Sequence, residues 1–247
     1  MRRVALVTGG ASGIGHALAA ALVARGDHVV LTDRTGAPEA AAALGAQGVP
    51  LDVTDQGAVR AVVTAAVAEH GRLDLVVANA GVALTGRVEE LADEDWARVL
   101  EVNLHGVVHT VRAAYPELVR QGRGRLVLMS SLAGLVPAPL AVPYTASKHA
   151  VTGLGLALRA EAAARGVGVT VVCPGFVDTP LLSGRARTLA ARLQPPCSPR
   201  RVASAVLSGV AQDRALVVVP FLARPHWWLR RWAPGLADLI VRRISRS

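Results

Sequence analysis

The sequence predicts an α/β protein: a doubly wound parallel sheet with helices on both faces. Three observations carry that prediction. Short apolar, β-branched runs alternate with alanine-rich stretches of helical period along most of the chain. The run from Leu73 to Ala78 is almost wholly apolar, as a strand covered on both sides must be. The first run, Arg3 to Thr8, passes straight into GGASGIG and then a helical stretch, the strand–glycine loop–helix order of a dinucleotide site.

Composition sets the bounds. The 247 residues suit one large α/β domain, expected over 1–220, with a basic, tryptophan-rich helical extension over 221–247. Hydrophobic residues make up 52% but aromatics only 3%, so Ala, Val and Leu must fill the core. Net charge is +9, yet no zinc spacing, basic–aromatic repeat or helix-turn-helix signature is present, and nucleic acid is not expected as a partner. No metal site is expected either. Cys173 ends an apolar run and Cys197 lies in a Pro-rich loop; two cysteines make no disulfide framework. The start is too short in apolar residues for a signal peptide, and no run of ~18 apolar residues exists to span a bilayer. A cytoplasmic location is the expectation.

In chain order, Gly9, Ser12, Gly13, Ile14 and Gly15 form the loop and helix start, where backbone amides would cradle a pyrophosphate. The next strand, HVVLTDR, ends in Asp33, 18 residues after Gly15, placed to accept from the adenosine ribose hydroxyls. A short helix over 36–45 precedes a strand over 49–53. There Asp52, beside Val53, either reaches an adenine amino group or caps the following helix, whose stripe is Val59, Val62, Val63, Ala66 and Val67. Leu73 to Ala78 then runs into Asn79-Ala80-Gly81, a small turn that lets a cofactor pass close. A helix over 93–121 buries Trp96, Leu100, Val107 and Val111; Asn103 falls on the same side, as a structural amide or as part of a relay. A strand over 125–131 delivers Ser131, or Ser130, at its C-terminal end, where ligands of such sheets bind. After the helix over 144–165 comes a strand ending in Pro174-Gly175, with Val177 and Thr179 suited to hold a cofactor's polar end. A further helix over 199–213 and a strand over 215–220 complete the sheet.

The chemistry centres on Ser131, Tyr144 and Lys148. Tyr144 and Lys148, four apart, share one helix face. A phenol titrates near pH ~10 in water, and a neighbouring ammonium lowers that value. With a serine hydroxyl to hold the substrate oxygen, these groups can move a proton on or off an alcohol. Of the 27 basic residues Lys148 is the single lysine, where a compact ammonium does what a planar guanidinium cannot.

TGGASGIG at 8–15, Asp33, Asp52-Val53, Asn79-Ala80-Gly81, Asn103, Ser131, Tyr144-x3-Lys148 and Pro174-Gly175, in this order, resemble the short-chain dehydrogenase/reductase family in its compact form. The resemblance implies a Rossmann-like seven-stranded sheet of order 3-2-1-4-5-6-7. It implies Tyr144 as catalytic acid/base and Ser131, rather than Ser130, as the residue positioning the substrate oxygen. Lys148 would hold the nicotinamide ribose and lower the Tyr144 pKa, and Asn103 would hold a relay water. Tyr144 and Lys148 thus serve the cofactor as well.

The expected activity is hydride transfer between a nicotinamide cofactor, NAD in preference to NADP, and a secondary alcohol or ketone. Leu132, Leu135, Val136, Val82, Leu84, Phe176 and Leu181 are expected to wall the pocket, which points to a hydrophobic substrate. The competing reading is a nicotinamide-binding sensor or scaffold without turnover. A homo-oligomer, dimer or tetramer, is expected. The extension holds Trp227, Trp228 and Trp232, and six arginines against Asp238 alone. Pro234-Gly235 should break it into two short helices. It is expected to pack over the pocket or on a partner subunit, with peripheral membrane contact as the alternative.

Overall fold

The computed structural model describes residues 2–179, 181, 196–221, 224–236 and 239. Seven strands, all parallel, form one sheet: β1 (Val4–Thr8), β2 (His28–Asp33), β3 (Gln47–Pro50), β4 (Leu75–Ala78), β5 (Gly124–Met129), β6 (Val167–Pro174) and β7 (Leu216–Val219). Their spatial order is β3-β2-β1-β4-β5-β6-β7. The order reverses between β1 and β4, so the crevice for a ligand opens beyond the C-terminal ends of those two strands.

Strand periodicity divides the core into two layers. Ala5 and Val7 point to one face, with Leu18, Ala19 and Leu22 of α1 (Gly13–Ala24), Ala37 and Ala41 of α2 (Ala37–Leu44), and Val202 and Val206 of α7 (Pro199–Ala211). Val4 and Leu6 point to the other, with Val63 of α3 (Gln56–His70), Val107, Val111 and Leu118 of α5 (Gly106–Gln121), and Val151 of α6 (Val142–Ala162). A one-residue register shift would exchange the two sets, which is why the register is firmly specified. Small residues let the layers close: a Cβ on Gly155 of α6 would lie 2.3 Å from a Val171 methyl.

Three expected elements differ in detail. The third strand ends at Pro50, not Val53. The Leu51 amide still donates to the Asp33 carbonyl, but the chain then turns because Asp52 accepts from both the amide and the hydroxyl of Thr54. The expected long helix over 93–121 is α4 (Asp93–Leu100) and α5 joined by one π-helical turn, Glu101–His105. The strand expected to run through Ser131 ends at Met129. The stretch from Leu181 to Pro199, which the sequence alone suggests to be mobile, lies mostly outside the described residues. In the extension, α8 spans Arg224–Trp232, Ala233 breaks it, and residues 234–236 are helical again. Among the described residues no helix is long and apolar enough to cross a membrane.

Candidate active site

A cleft of about 960 Å³ runs along the C-terminal ends of the strands. Gly9, Ser12, Gly13, Ile14, Asp33, Asp52, Val53, Asn79, Gly81, Ser131, Tyr144, Lys148, Pro174, Gly175, Val177 and Thr179 all line it. Of the residues expected to serve catalysis or the cofactor, Gly15 and Asn103 stay outside its lining.

The glycine loop is a tight cradle. Gly9 has φ +65°, and a Cβ there would meet the Ala80 backbone at 2.7 Å. A Cβ on Gly15 would stand 2.1 Å from the Gly9 carbonyl oxygen and 2.6 Å from Asn79 Nδ2. Asn79 holds this packing: its Nδ2 donates to the carbonyls of Thr8 (2.9 Å) and Gly9 (3.0 Å). The Thr8 hydroxyl accepts from the amides of Asn79 (3.0 Å) and Ala80 (3.1 Å). Ser12 precedes α1 without a side-chain capping bond, so the first-turn amides remain unclaimed by it. This is the donor set an anionic pyrophosphate takes. Asp33 accepts from the Ala11 amide at 3.0 Å, which fixes its carboxylate at the cleft edge beside Arg34. The Thr54 bonds hold the Asp52 carboxyl below its ordinary range; burial opposes this and Arg34 assists. The helix-cap reading of Asp52 does not hold, since Asp55 caps α3 by accepting from Ala58 at 2.9 Å. The Val53 carbonyl meets His109 Nδ1 at 3.0 Å.

On the other side of the cleft, Ser131 follows β5 and Tyr144 and Lys148 project from α6. Ser130 faces the opposite way: its hydroxyl is buried, donating to the Lys148 carbonyl (2.8 Å) and meeting the Thr152 hydroxyl at the same distance. Ser131 is thereby left to the cleft, where its hydroxyl donates to the Pro174 carbonyl at 3.4 Å and accepts from the Ala133 amide at 3.2 Å, on the wall that also carries Tyr144. Lys148 is 3% exposed; its Nζ donates to the Met129 carbonyl at 2.9 Å and stands 5.6 Å from the Tyr144 ring centroid. Burial pushes the phenol above its ordinary value, and Ser131 pulls it back. Burial also acts on Lys148, whose own value it brings down to about 8.

That shift has a stability consequence. Between about pH 8 and the ordinary lysine value the unfolded chain binds a proton that the folded chain does not, so stability rises with pH through this window. Buried Cys173, pushed up to about 11, acts in the opposite sense above the ordinary thiol value of 9.0. The Lys148 contribution is therefore read best at its low end. Urea unfolding at about pH 7 and about pH 9 should show Lys148→Met gaining on wild type at the lower pH, by 1–2 kcal/mol relative to the higher. An equal difference at both would mean that Lys148 keeps an ordinary pKa.

Asn103 is fully buried in the π-helical turn. Its Nδ2 donates to the Val82 carbonyl (2.9 Å) and to Ser147 Oγ (3.1 Å), and its Oδ1 accepts from the Val82 amide (2.8 Å). The side chain thus pins the strand-to-helix segment after Gly81 to α6, one residue from Lys148. Of the expected apolar wall, Leu132, Val136, Val82, Phe176 and Leu181 line the cleft. Leu135 does not; it packs on Val171, Cys173 and Val218. Leu84 faces a small neighbouring recess with Arg98. Sequence reasoning missed Arg98 as a lining residue, along with the individual contributors from α8, Pro225, Leu229 and Arg230. The four-residue spacing of Pro225 and Leu229 was the available signal.

Comparison with known proteins agrees with this geometry. Residues 3–189 match the family described as short chain dehydrogenase. The chain is 41% identical over 232 residues to cis-4-hydroxycyclohexanecarboxylate dehydrogenase of Sinomonas cyclohexanicum, covering 88% of this chain and 92% of that protein. It is 35% identical over 192 residues to D-beta-hydroxybutyrate dehydrogenase of Rhizobium meliloti, covering 74% of each. A short-chain dehydrogenase/reductase from Burkholderia phymatum, solved in complex with NAD, superposes with a TM-score of 0.86 at 29% identity over 95% of both chains. With the sheet order, the glycine cradle and the Ser131, Tyr144, Lys148 cluster, these matches establish that the chain belongs to the short-chain dehydrogenase/reductase family of oxidoreductases.

Proposed function

We propose that this protein is an NAD-dependent dehydrogenase/reductase of a secondary alcohol/ketone pair whose body is mainly apolar. The observation that carries the reading is the convergence of Ser131, Tyr144 and Lys148 on one wall of a cleft whose other end is a glycine cradle. The cradle fits a dinucleotide: Gly9, Ser12, Gly13, Ile14 and Gly15 would hold its pyrophosphate, Asp33 a ribose, and Asp52 and Val53 the adenine end. Asn79 and Gly81 would flank its path, and Pro174, Gly175, Val177 and Thr179 its nicotinamide half. When bound, the nicotinamide supplies or accepts the hydride.

The chain's own groups do the proton chemistry. Ser131 Oγ donates to the substrate oxygen and holds it near the phenol. Tyr144 Oη gives its proton to the carbonyl oxygen in reduction and takes it from the hydroxyl in oxidation. The raised phenol value keeps Tyr144 protonated at neutral pH, which suits the reductive direction. Lys148, largely protonated at pH 7 with a value of about 8, places positive charge beside that exchange. Asn103, through Val82 and Ser147, holds the wall in position and is proposed as the anchor of a relay water. Two relatives act on hydroxylated carboxylic acids by name, which supports an alcohol carbon on a compact apolar body. The intact Ser131, Tyr144 and Lys148 disfavour a sensor without turnover.

Steady-state turnover on a panel of apolar ketones, with NADH and NADPH, tests both parts. Asp33 would repel a 2′-phosphate, so efficiency with NADH should exceed that with NADPH by about tenfold or more. The reverse ratio would mean that Arg34, on the same edge, binds the phosphate. No turnover with any ketone or alcohol would leave the sensor reading.

A further inference from the structure

We propose that the face of α8 carrying Trp228 and Trp232 seats the mouth of the cleft on an anionic lipid surface. Pro225 and Leu229, four apart, line the cleft, and Arg230 joins them. On the adjacent side of the same helix Trp228 and Trp232 stack on each other, ring centroids 6.4 Å apart and planes 8° from parallel. Neither is covered: they are 50% and 73% exposed. Phe221, Leu236 and Leu239 are also exposed, so five of the nine exposed large hydrophobics among the described residues fall within 221–239. Indole rings standing in water at this density mark a contact surface rather than a packed core.

Charge decides what the contact is. Residues 221–239 contain Arg224, Arg230 and Arg231 against Asp238 alone, a net of +2. A two-fold pairing of this face with a second copy would set arginine against arginine, which works against self-association. An anionic bilayer suits both features: phosphate for the exposed Arg231 and an interfacial layer that takes indole rings. Leu181, 38% exposed, also lines the cleft. A membrane at this mouth would therefore meet the cleft's apolar wall, and a lipid-dissolved alcohol or ketone would enter without crossing water.

The test uses the full chain with vesicles of phosphatidylglycerol and phosphatidylcholine, against phosphatidylcholine alone. Most of the protein should pellet with the anionic vesicles at low salt and be released at about 0.5 M salt. Trp228→Ser/Trp232→Ser should weaken that binding by roughly tenfold, with the emission blue-shift on binding reduced. Oligomer mass by light scattering and turnover on a water-soluble ketone should not change. Arg231→Glu should weaken anionic binding to a similar degree. The proposal is overturned if wild type does not pellet, or if the double variant pellets like wild type, since the net charge alone would then be responsible. A change of oligomer mass in the double variant also overturns it, by assigning the face to a second subunit. Sedimentation needs no turnover, so this result stands apart from that of the catalytic assay.

Discussion

Tyr144→Phe should lose turnover by ~10²-fold or more and keep its affinity for NADH within a factor of about three. The ring lines the cleft where α6 faces the end of β5, and phenylalanine fills the same space. What disappears is one oxygen, the group proposed to exchange a proton with the substrate while Ser131 Oγ holds it. The cradle of Gly9, Gly13 and Asn79 lies at the other end of the cleft and is untouched, so binding read by NADH fluorescence should survive. The raised phenol value also predicts the wild-type pH profile of the reductive reaction. The protonated acid persists to at least the ordinary tyrosine value, so reduction should not fall with phenol ionisation below about pH 10. Turnover of Tyr144→Phe within tenfold of wild type would take the proton-transfer role away from Tyr144. Ser131→Ala should retain the acid and lose its alignment, giving a smaller loss than Tyr144→Phe.

The sheet was legible in the sequence because parallel strands announce themselves as apolar runs, and several runs here end at or just before a small or polar residue on the cleft. Asp33, Asn79, Ser131 and Pro174 all occupy such positions. Less legible was anything decided by burial. Spacing places an ammonium beside the Tyr144 phenol, but it carries nothing of the burial that pushes the phenol up and the ammonium down. Asn103 shows a related limit. Helical periodicity placed it on the buried side, but not the π-helical turn that carries it or its three bonds to Val82 and Ser147. Those partners lie 21 and 44 residues away in the chain. Leu84 and Leu135 failed as wall residues for the same reason, since periodicity does not say which side of a loop meets the cleft.

Gly15→Ala should be strongly damaging to the cradle, although Gly15 is not among the residues that line the cleft. Its missing Cβ is what lets the Gly9 carbonyl oxygen approach; a methyl there would lie 2.1 Å from that oxygen and 2.9 Å from the carbonyl carbon. Both are backbone atoms, so no side-chain rotation relieves the clash. The Gly9 carbonyl is also an acceptor for Asn79 Nδ2, which a methyl would approach to 2.6 Å. Relief therefore requires the loop to move off β4, breaking the bonds that tie Asn79 to Thr8 and Gly9. Overpacking of this kind costs about 1–3 kcal/mol, and a lost bond to a buried amide adds about 1 kcal/mol. NADH affinity should drop by more than tenfold, because the displaced amides are those proposed to hold the pyrophosphate, and the melting temperature should fall by several degrees, about 2–4 °C per kcal/mol in a chain of this size. Gly153→Ala supplies the contrast. Gly153 lies exposed within α6, a Cβ there meets nothing within 4 Å, and its φ is not positive. Alanine at that site should stabilise by about 0.5–1 kcal/mol through helix propensity, with NADH affinity unchanged. If both alanines left affinity and melting temperature alike, the close approach of α1 to the loop would not be what shapes the cradle.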